Sequence, residues 1–170
     1  MVTDRAERVP DRPAIPPAQS GVPPERLDDV RAFLDRLTRW ATTRGDIVGL
    51  LLVGSYARGA ARPASDVDVV LLTTDPAPYV TGAWTSGDAG VDRAGALGLG
   101  RPVRTRVWGP VTERRFALAR GPEVEFGIGT PRWARTDPVD PGTRRVVADG
   151  ALPLYDPLGV LAELVLRCRP

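Results

Sequence analysis

Histidine, lysine and asparagine are absent from this chain of 170 residues, and cysteine occurs only once, at Cys168. Without histidine the chain has no Ser-His-Asp triad, no histidine-ligated metal site and no imidazole to act as acid or base. A single cysteine excludes an internal disulfide and a zinc site built from several cysteines. Acid–base or metal chemistry must therefore come mainly from carboxylates.

The chain also lacks a large net charge and long apolar runs. The basic residues number 23, all of them arginine, against 21 acidic residues, which gives a formal net charge of +2. This balance does not indicate a nucleic-acid partner. No apolar run has the length of a membrane span, and the N-terminus is charged and proline-rich, unlike a signal peptide. We expect a cytoplasmic protein with no membrane partner.

The composition changes after about residue 22. Residues 1–22 carry many prolines and charges without an apolar period, which predicts a disordered or loosely wrapped arm. Residues 23–170 are predicted to form a single domain. Its first helix should run from Pro24 to Thr43, with one apolar stripe that places Trp40 in the core.

Two short apolar runs, residues 47–53 and 69–72, are rich in branched side chains and predict two buried strands. Between them lies the turn Gly54-Ser55, followed by a short helical segment. A glycine lets a phosphate approach the backbone closely, and the serine adds a hydroxyl and an N–H. The turn is therefore a candidate phosphate site.

The second of these strands begins with two acids, Asp66 and Asp68. Alternate residues of a strand share a face, so the two carboxylates point the same way while Val67 faces the core. Neighbouring carboxylates raise each other's pKa unless a cation lies between them. Ligands that are all oxygen favour Mg²⁺ or Mn²⁺. The alternative is that both acids are simply solvated.

The pattern Gly-Ser, ten residues, Asp-x-Asp resembles the signature of the DNA polymerase β-like nucleotidyltransferase superfamily. The details Gly-Ser-x-Ala-Arg-Gly and Ser-Asp-x-Asp are similar to the minimal nucleotidyltransferases, which include aminoglycoside nucleotidyltransferases and toxin-partner antitoxins. The close resemblance spans residues 47–72, and a looser one extends to residue 128. It implies an α/β (α+β) nucleotidyltransferase core, a mixed sheet with helices mainly on one face.

The resemblance also implies a reaction. A nucleoside monophosphate would pass from a nucleoside triphosphate (NTP) to an acceptor hydroxyl, with release of pyrophosphate. Asp66 and Asp68 would hold two Mg²⁺ ions, or Mn²⁺ in their place.

Four residues would bind the nucleotide under this resemblance. Gly54 and Ser55 would hold the β- and γ-phosphates, and Ser65 would belong to the same site. For Arg58 two roles stay open. It either neutralises the leaving pyrophosphate or pairs with an acid inside the fold.

The second half of the domain alternates like a sheet. We expect strands at 103–108, 112–118 and 123–128. Further on, residues 145–147 are predicted to form a short strand that pairs with 152–155, before a closing helix. Residues 75–102 show no clear period and predict a weak helix with long loops or a mobile functional loop. Trp84 within them either stacks on a base or anchors the loop, and anchoring is the commoner role of a tryptophan.

The third of these strands places Glu123 and Glu125 on one face, where they need water, a cation or arginines opposite. In the superfamily that the chain resembles, a strand beside the Asp-x-Asp strand supplies a third catalytic carboxylate. Glu125, which lies mid-strand, is the candidate, and Glu123 is the runner-up. The alternative is that Glu125 merely pairs with Arg104 or Arg115.

The acceptor is not specified by these motifs, and two classes of function stay open. One is an enzyme that modifies a small molecule or a protein, with an acceptor site built by residues 75–102 or by a homodimer. The other is an antitoxin-like or nucleotide-binding interaction module, with a toxin-like protein partner and little catalysis. A transferase directed to RNA or DNA would use arginines 101, 104, 106, 114 and 115 as a basic patch. The balanced charge favours ion-paired strand faces instead.

Overall fold

The computed structural model describes residues 15–16, 21–85 and 97–169. The helices are α1 (Pro24–Thr42), α2 (Gly54–Ala57), α3 (Ala77–Thr81), α4 (Pro141–Ala148) and α5 (Val160–Cys168). The strands are β1 (Ile47–Val53), β2 (Val67–Thr73), β3 (Leu99–Trp108), β4 (Val111–Leu118), β5 (Val124–Gly129) and β6 (Ala151–Tyr155). Single 3₁₀ turns span Ala83–Thr85 and Pro131–Ala134.

All six strands form one sheet in the order β3-β4-β5-β2-β1-β6. β2 and β5 run parallel, and the other neighbouring pairs are antiparallel. The predicted mixed α/β fold is thus confirmed. The parallel pair matters for the site, because it brings β5 beside the strand that carries the Asp-x-Asp motif.

Strand alternation divides the core into two clusters. Val67, Val69 and Leu71 face the cluster that contains α1, α2 and α3, while Val70 and Leu72 face the cluster that contains α4 and α5. The expectation of helices mainly on one face holds for the first three helices. The last two lie on the opposite face, behind β1 and β2.

Helix α1 forms where the apolar stripe predicts it. Pro24 occupies the first turn, where its missing N–H costs nothing, and Glu25 lies at the positive end of the helix dipole. Trp40 is buried as predicted. Residues of this face pack against the sheet, with Phe33 meeting Phe126 edge to face at 6.4 Å.

Trp84 anchors the segment after β2. Its ring is fully buried, contacts Trp40, Phe116 and Phe126, and its Nε1–H donates to the Tyr79 carbonyl oxygen at 3.1 Å. The anchoring interpretation is therefore confirmed over base stacking. The region predicted as weakly structured contains α3, a 3₁₀ turn and the start of β3, and its residues 86–96 lie outside the described residues.

The predicted strand at 145–147 is wrong, because these residues lie in α4. Asp140 caps this helix by accepting from the N–H groups of Gly142 and Thr143, and Pro141 occupies its first turn. The strand predicted at 152–155 exists as β6, but it pairs with β1. Asp-Pro at 140–141 was the local signal for a helix start.

The predicted N-terminal arm falls mostly outside the described residues. Within it, Val22 is buried and Ile15 packs partly against the core. The division at residue 22 stays a prediction. Among the described residues, no helix combines the length and apolar character that a membrane crossing requires.

Gly150 provides a test of how β6 supports the Gly-Ser turn. Its φ is +129°, and a Cβ there would lie 2.9 Å from Arg58 Cβ and 3.2 Å from the Gly54 oxygen. We expect Gly150→Ala to lower the free energy of unfolding by about 3 kcal/mol, through backbone strain plus overlap. Gly159→Ala is the matched control, since its φ is +72° but its Cβ would meet open space. It should cost about 1 kcal/mol. Urea denaturation measures both, and equal losses would contradict this close packing.

Candidate active site

The Gly-Ser turn and the Asp-x-Asp motif meet at one end of β1 and β2. Gly54 has φ +70°, a conformation that favours glycine, and its N–H donates to the Gly150 carbonyl oxygen at 3.0 Å. A Cβ on Gly54 would lie 3.0 Å from Asp68 Oδ2. Glycine is thus required both for the turn and for the close approach of the carboxylate. Two elements that are 14 residues apart in sequence form one corner of the site.

The alternation predicted for the acids is present. Val67 is fully buried, while Asp66 and Asp68 are only partly buried. Asp66 lies just before β2 and Asp68 is its second residue.

A row of paired residues crosses the sheet through Asp68. Asp68 pairs with Val53 on one side and Glu125 on the other, Glu125 pairs with Arg115, and Arg115 pairs with Arg104. Directly paired residues share a face. The register therefore brings Glu125, and not Glu123, opposite Asp68, as the preference for Glu125 requires.

Arg115 is the cation at the centre of these acids. Its Nη1 lies 2.8 Å from Asp66 Oδ2 and 3.2 Å from Glu123 Oε2, and its Nη2 lies 2.5 Å from Glu125 Oε2. Burial alone would lower the pKa of Arg115, but the hydrogen bond to Glu125 and the charge of Asp66 raise it. The alternative considered for Glu125, pairing with arginines, is present together with the pairing opposite Asp68.

Glu113 is an acid of the site that the sequence did not single out. Glu113 is only 5% exposed. Its carboxylate accepts hydrogen bonds from Arg104 Nε at 2.8 Å and from Trp108 Nε1 at 2.7 Å. Burial would raise the pKa of Glu113, but these hydrogen bonds outweigh burial and lower it. Arg104 also reaches Glu125 Oε2 at 3.1 Å. Two of the arginines considered for a basic patch are thus bound to glutamates.

Asp68 differs from its neighbours. Within the described residues its carboxylate accepts no hydrogen bond and forms no ion pair. Burial, followed by the charges of Glu125 and Asp66, raises the pKa of Asp68 to about 7, although Arg115 lowers it in part. A cation beside Asp68 would relieve the repulsion that Arg115 offsets only in part, which makes this carboxylate a candidate metal ligand.

The predicted nucleotide-binding residues are placed differently from one another. Arg58 Nη1 contacts Asp149 Oδ2 at 2.5 Å and the Asp149 carbonyl oxygen at 3.0 Å, which is the internal pairing considered for it. Ser65 Oγ accepts from the Arg62 N–H at 2.9 Å within the loop before β2. The Ser55 hydroxyl makes no hydrogen bond to the described part of the chain. Phosphate binding by these residues stays a prediction.

A family model described as the nucleotidyltransferase domain matches residues 33–123, more than half of the chain. This chain belongs to the nucleotidyltransferase domain family. The matched range covers the first turn of the site, the Asp-x-Asp motif, Arg115 and Glu123, and stops just before Glu125. The predicted superfamily and enzyme class are confirmed at the level of the family.

Two solved structures are similar to this nucleotidyltransferase domain. One is a cytoplasmic RNA terminal U-transferase, with 17% identity, a TM-score of 0.44, and coverage of 63% of this chain and 30% of that one. The other is Cid1, an RNA terminal uridylyl transferase, with 18% identity, a TM-score of 0.42, and coverage of 63% and 31%. The chain spans less than a third of the length of either. No curated protein matches it.

Nucleotidyltransferases of this type generally use divalent metal ions. The donors here fit such ions in chemistry, because Asp68 lacks a partner and Asp66 Oδ1 and Glu125 Oε1 accept nothing from the described residues. In the structure, however, Arg115 occupies the position between Asp66 and Glu125 and neutralises part of their charge. No group of three acidic or cysteine side chains in the described ranges is placed as around a metal. A metal at Asp66 and Glu125 must therefore share these acids with Arg115.

Replacing Arg115 tests its role as the resident cation. Arg115→Gln leaves Asp66, Glu123 and Glu125 without their shared counter-charge, so it should lower the free energy of unfolding by about 2 kcal/mol in EDTA at pH 7. Arg120→Gln, an exposed arginine in the turn after the same strand, is the control and should change it by less than about 0.5 kcal/mol. Thermal or urea unfolding measures the difference. Equal effects of the two substitutions would show that the ion pairs of Arg115 contribute nothing measurable to stability.

The pKa of Asp68 makes stability depend on pH. An unfolded Asp68 loses its proton near pH 3.8, whereas the folded one keeps it to about 7, so the folded state binds more protons in between. The contribution of Asp68 to stability should therefore fall as the pH rises from about 4 to 8. Asp68→Asn removes this loss and should stabilise the metal-free protein by about 1–3 kcal/mol at pH 8, with no gain near pH 4. Urea denaturation in EDTA at both pH values measures this. A gain that does not change with pH would mean that Asp68 keeps an ordinary pKa.

Proposed function

We propose that this domain transfers a nucleoside monophosphate from an NTP to a hydroxyl of a small molecule or a protein, and releases pyrophosphate. Asp66, Asp68 and Glu125 would hold two divalent metal ions, either Mg²⁺ or Mn²⁺. Gly54, Ser55 and Ser65 would bind the nucleotide. The family match supports the general chemistry, and the site geometry supports these assignments.

The single observation that carries the proposal is the Asp68 carboxylate beside Gly54. Asp68 has no hydrogen bond or ion pair within the described residues, and burial together with the charges of Glu125 and Asp66 opposes its ionisation, so a cation beside it would favour its charged form. The adjoining turn holds its backbone open by a glycine, so phosphate oxygens can approach the same cation. A metal–triphosphate complex satisfies both requirements at once, because the metal meets the acid and the phosphates meet the turn.

The metals, when bound, would clamp the attacking and leaving oxygens of an in-line displacement at phosphorus. The chain's own residues hold and orient the reactants. Ser55, whose hydroxyl makes no hydrogen bond within the described residues, would offer it to the triphosphate. Arg58 is bound to Asp149, which favours a structural role in which it ties the turn to the α4–β6 corner.

Glu125 would orient the acceptor hydroxyl and accept its proton, since the chain has no histidine to act as base. It is suited to this role by position. Paired strands on both sides fix it in the sheet, and Val124 and Phe126 are fully buried beneath it. Its Oε2 is held by Arg115 and Arg104, which leaves Oε1 for metal or substrate.

One observation favours a second candidate, an interaction module with little catalysis. Arg115 already pairs with Asp66 and Glu125, so these two acids do not need a metal for counter-charge. In this case the domain would bind a nucleotide or a toxin-like protein partner without transferring anything. The two candidates differ in one measurable property, the appearance of a labelled product.

The decisive experiment incubates the protein with each α-labelled NTP, Mg²⁺ or Mn²⁺, and a panel of acceptors that includes a lysate of the native host. A labelled product whose formation needs metal supports the enzyme, provided that Asp66→Asn and Asp68→Asn abolish it. Calorimetry of NTP binding with and without EDTA accompanies it. Metal-dependent binding without any product would favour the module, and binding that is equal in EDTA would overturn the metal site.

Glu125 and Glu123 provide the finer test. Glu125→Gln should lower the turnover number about 100-fold or more with little change in NTP affinity, because Asp66 and Asp68 still hold the metal-bound nucleotide. Glu123→Gln is the matched control, two residues away on the same face and bound to the same arginine. It should cost less than about threefold. If the two variants rank the other way, Glu123 is the third carboxylate. If neither lowers turnover, this carboxylate lies elsewhere.

A further inference from the structure

A cleft of about 690 Å³ opens on the sheet face that carries the carboxylates. Asp68, Glu113 and Glu125 lie at one end of it, and residues of the sheet and of α4 line the rest. The volume is in the range of a site for a small organic ligand. The cleft is therefore continuous with the candidate active site and extends beyond its acids.

The cleft and the Gly-Ser turn extend from Asp68 in opposite directions along the strands. The turn follows Val53, the partner of Asp68, at the end of β1, and so lies towards the start of β2. The cleft is lined by Val70 and Gly127, which lie two residues further along β2 and β5 than Asp68 and Glu125. Two residues of a strand span about 7 Å. The cleft thus continues from Asp68 away from the turn.

This placement suits the acceptor better than the nucleoside. Under the proposed function, the β- and γ-phosphates lie at the turn and the α-phosphate lies at Asp68. In an in-line displacement the attacking and leaving oxygens lie on opposite sides of the phosphorus. Pyrophosphate leaves towards the turn, so the acceptor hydroxyl approaches from the cleft, where Glu125 lies. The nucleoside is attached through an equatorial oxygen of the same phosphorus and therefore lies off this line.

Trp108 forms one wall of the cleft, at the end of β3. It is 58% exposed, yet its ring is held in place, because Nε1–H donates to Glu113 Oε2 at 2.7 Å. Glu113 is itself buried and bound to Arg104. The hydrogen bond draws the indole towards Glu113, which pairs with Gly127 of β5. An exposed tryptophan that is held in one orientation is suited to stacking on a flat ring.

The floor and the far wall of the cleft are apolar. Gly127 has no side chain to fill the floor, and a Cβ there would lie 3.3 Å from Val111 Cγ1 and 3.9 Å from Val70 Cγ2. Val146, exposed on α4, and Trp133 line the far side. A flat ring on this floor would contact apolar side chains, which favours an aromatic ligand over a sugar.

The charges around the cleft disfavour an anion. Its described lining residues include four acids and one arginine, namely Asp68, Glu113, Glu125, Asp140 and Arg145. The guanidiniums that reach the two glutamates, those of Arg104 and Arg115, are already bound to them. A phosphate backbone would therefore meet more carboxylates than available arginines. An ammonium group would gain little from the two glutamates, because both have an arginine partner. An uncharged ligand fits these conditions best.

We propose that this cleft binds the acceptor, and that the acceptor is a small, uncharged aromatic molecule that carries the reacting hydroxyl. The inference rests on the proposed function and adds the class of the acceptor, with Trp108 as a specificity-determining residue. The ring would lie over Gly127 against Trp108, with its hydroxyl at Glu125.

The step at this position is balanced by the groups already named. The acceptor oxygen forms a bond to the α-phosphorus, and its proton passes to Glu125. The bond from that phosphorus to the bridging oxygen breaks, and pyrophosphate leaves with the electron pair. Trp108 contacts the acceptor and takes no part in the bond changes.

Three indoles of different charge test this class of acceptor: neutral 5-hydroxyindole, anionic 5-hydroxyindole-2-carboxylate and cationic 5-hydroxytryptamine. Ligand-observed NMR titrations of the full chain in Mg²⁺ measure their affinity. They are run without nucleotide and again with a saturating mixture of the α,β-methylene analogues of the four common NTPs, which block transfer. 5-Hydroxyindole should bind with a Kd of about 1 mM or tighter in both conditions. The carboxylate should bind about tenfold more weakly, because it meets like charge.

Variants of β3 separate stacking from other effects. Trp108→Leu should weaken 5-hydroxyindole binding about fivefold or more, because ring stacking is lost. Trp108→Phe loses the N–H to Glu113 but keeps a ring, so it should retain most of the affinity. Val107→Leu is the matched control, since it changes a residue of the same strand that is 70% exposed and outside the cleft, and it should have no effect. Thermal unfolding checks that each variant is folded.

Each contrary result has a distinct meaning. If 5-hydroxyindole does not bind, if Trp108→Leu binds it as the wild type does, or if Trp108→Phe is as weak as Trp108→Leu, the inference is overturned while the proposed function stands. The same holds if the carboxylate binds as well as 5-hydroxyindole, or if 5-hydroxytryptamine binds more than tenfold tighter, since the acceptor would then be charged.

The nucleotide analogues distinguish the acceptor from the nucleoside. If they displace 5-hydroxyindole, the cleft holds part of the nucleotide and the inference is overturned. If they do not bind the wild-type protein in Mg²⁺, the proposed function falls and this inference falls with it, whatever the indoles do.

Discussion

The parallel pairing of β2 with β5 is the constraint on which the site depends. It fixes Asp68 opposite Glu125, and the antiparallel pairing of β4 with β5 then fixes Arg115 opposite Glu125. Like charges are held together by backbone hydrogen bonds that the carboxylates themselves cannot break. The effect is greatest at Asp68, whose pKa is raised first by burial and then by the charges of Glu125 and Asp66, and is lowered only in part by Arg115. The sheet thus fixes Asp68 at a position where a positive charge would stabilise its ionised form.

Local pattern was sufficient to predict the motif and much of the sheet. The strands around Gly54 and the Asp-x-Asp pair could be predicted because each is a short apolar run with its own punctuation. The preference for Glu125 over Glu123 used only its distance from a turn; the register places Glu125 opposite Asp68, and its role as third carboxylate stays a prediction. What these predictions share is a dependence on residues within one strand or one turn.

The pairing of Glu125 with Arg104 or Arg115 was among the alternatives, but most contacts between distant residues could not be predicted. Arg58 meets Asp149 across 91 positions, and Glu113 gains its importance from Arg104 and Trp108 on a neighbouring strand. No period in either segment signals these contacts. Residues 145–147 are a different case. The two adjacent valines favoured a strand, although Asp140-Pro141 is a local signal for the start of a helix.

Arg115 connects the stability of the domain to its chemistry. The guanidinium of an arginine does not lose its proton at physiological pH. Arg115 therefore keeps its positive charge and would compete with any metal ion for Asp66 and Glu125. A metal–nucleotide complex can displace it only by supplying more positive charge to the acids, or by offering the guanidinium a phosphate in exchange for a carboxylate. Phosphate, like carboxylate, binds a guanidinium in a bidentate way, so under the proposed function the triphosphate itself would compete for Arg115. Under the proposed function, nucleotide binding and release of Arg115 from the acids would be coupled, and a metal without nucleotide would compete with Arg115 less well than the metal–nucleotide complex.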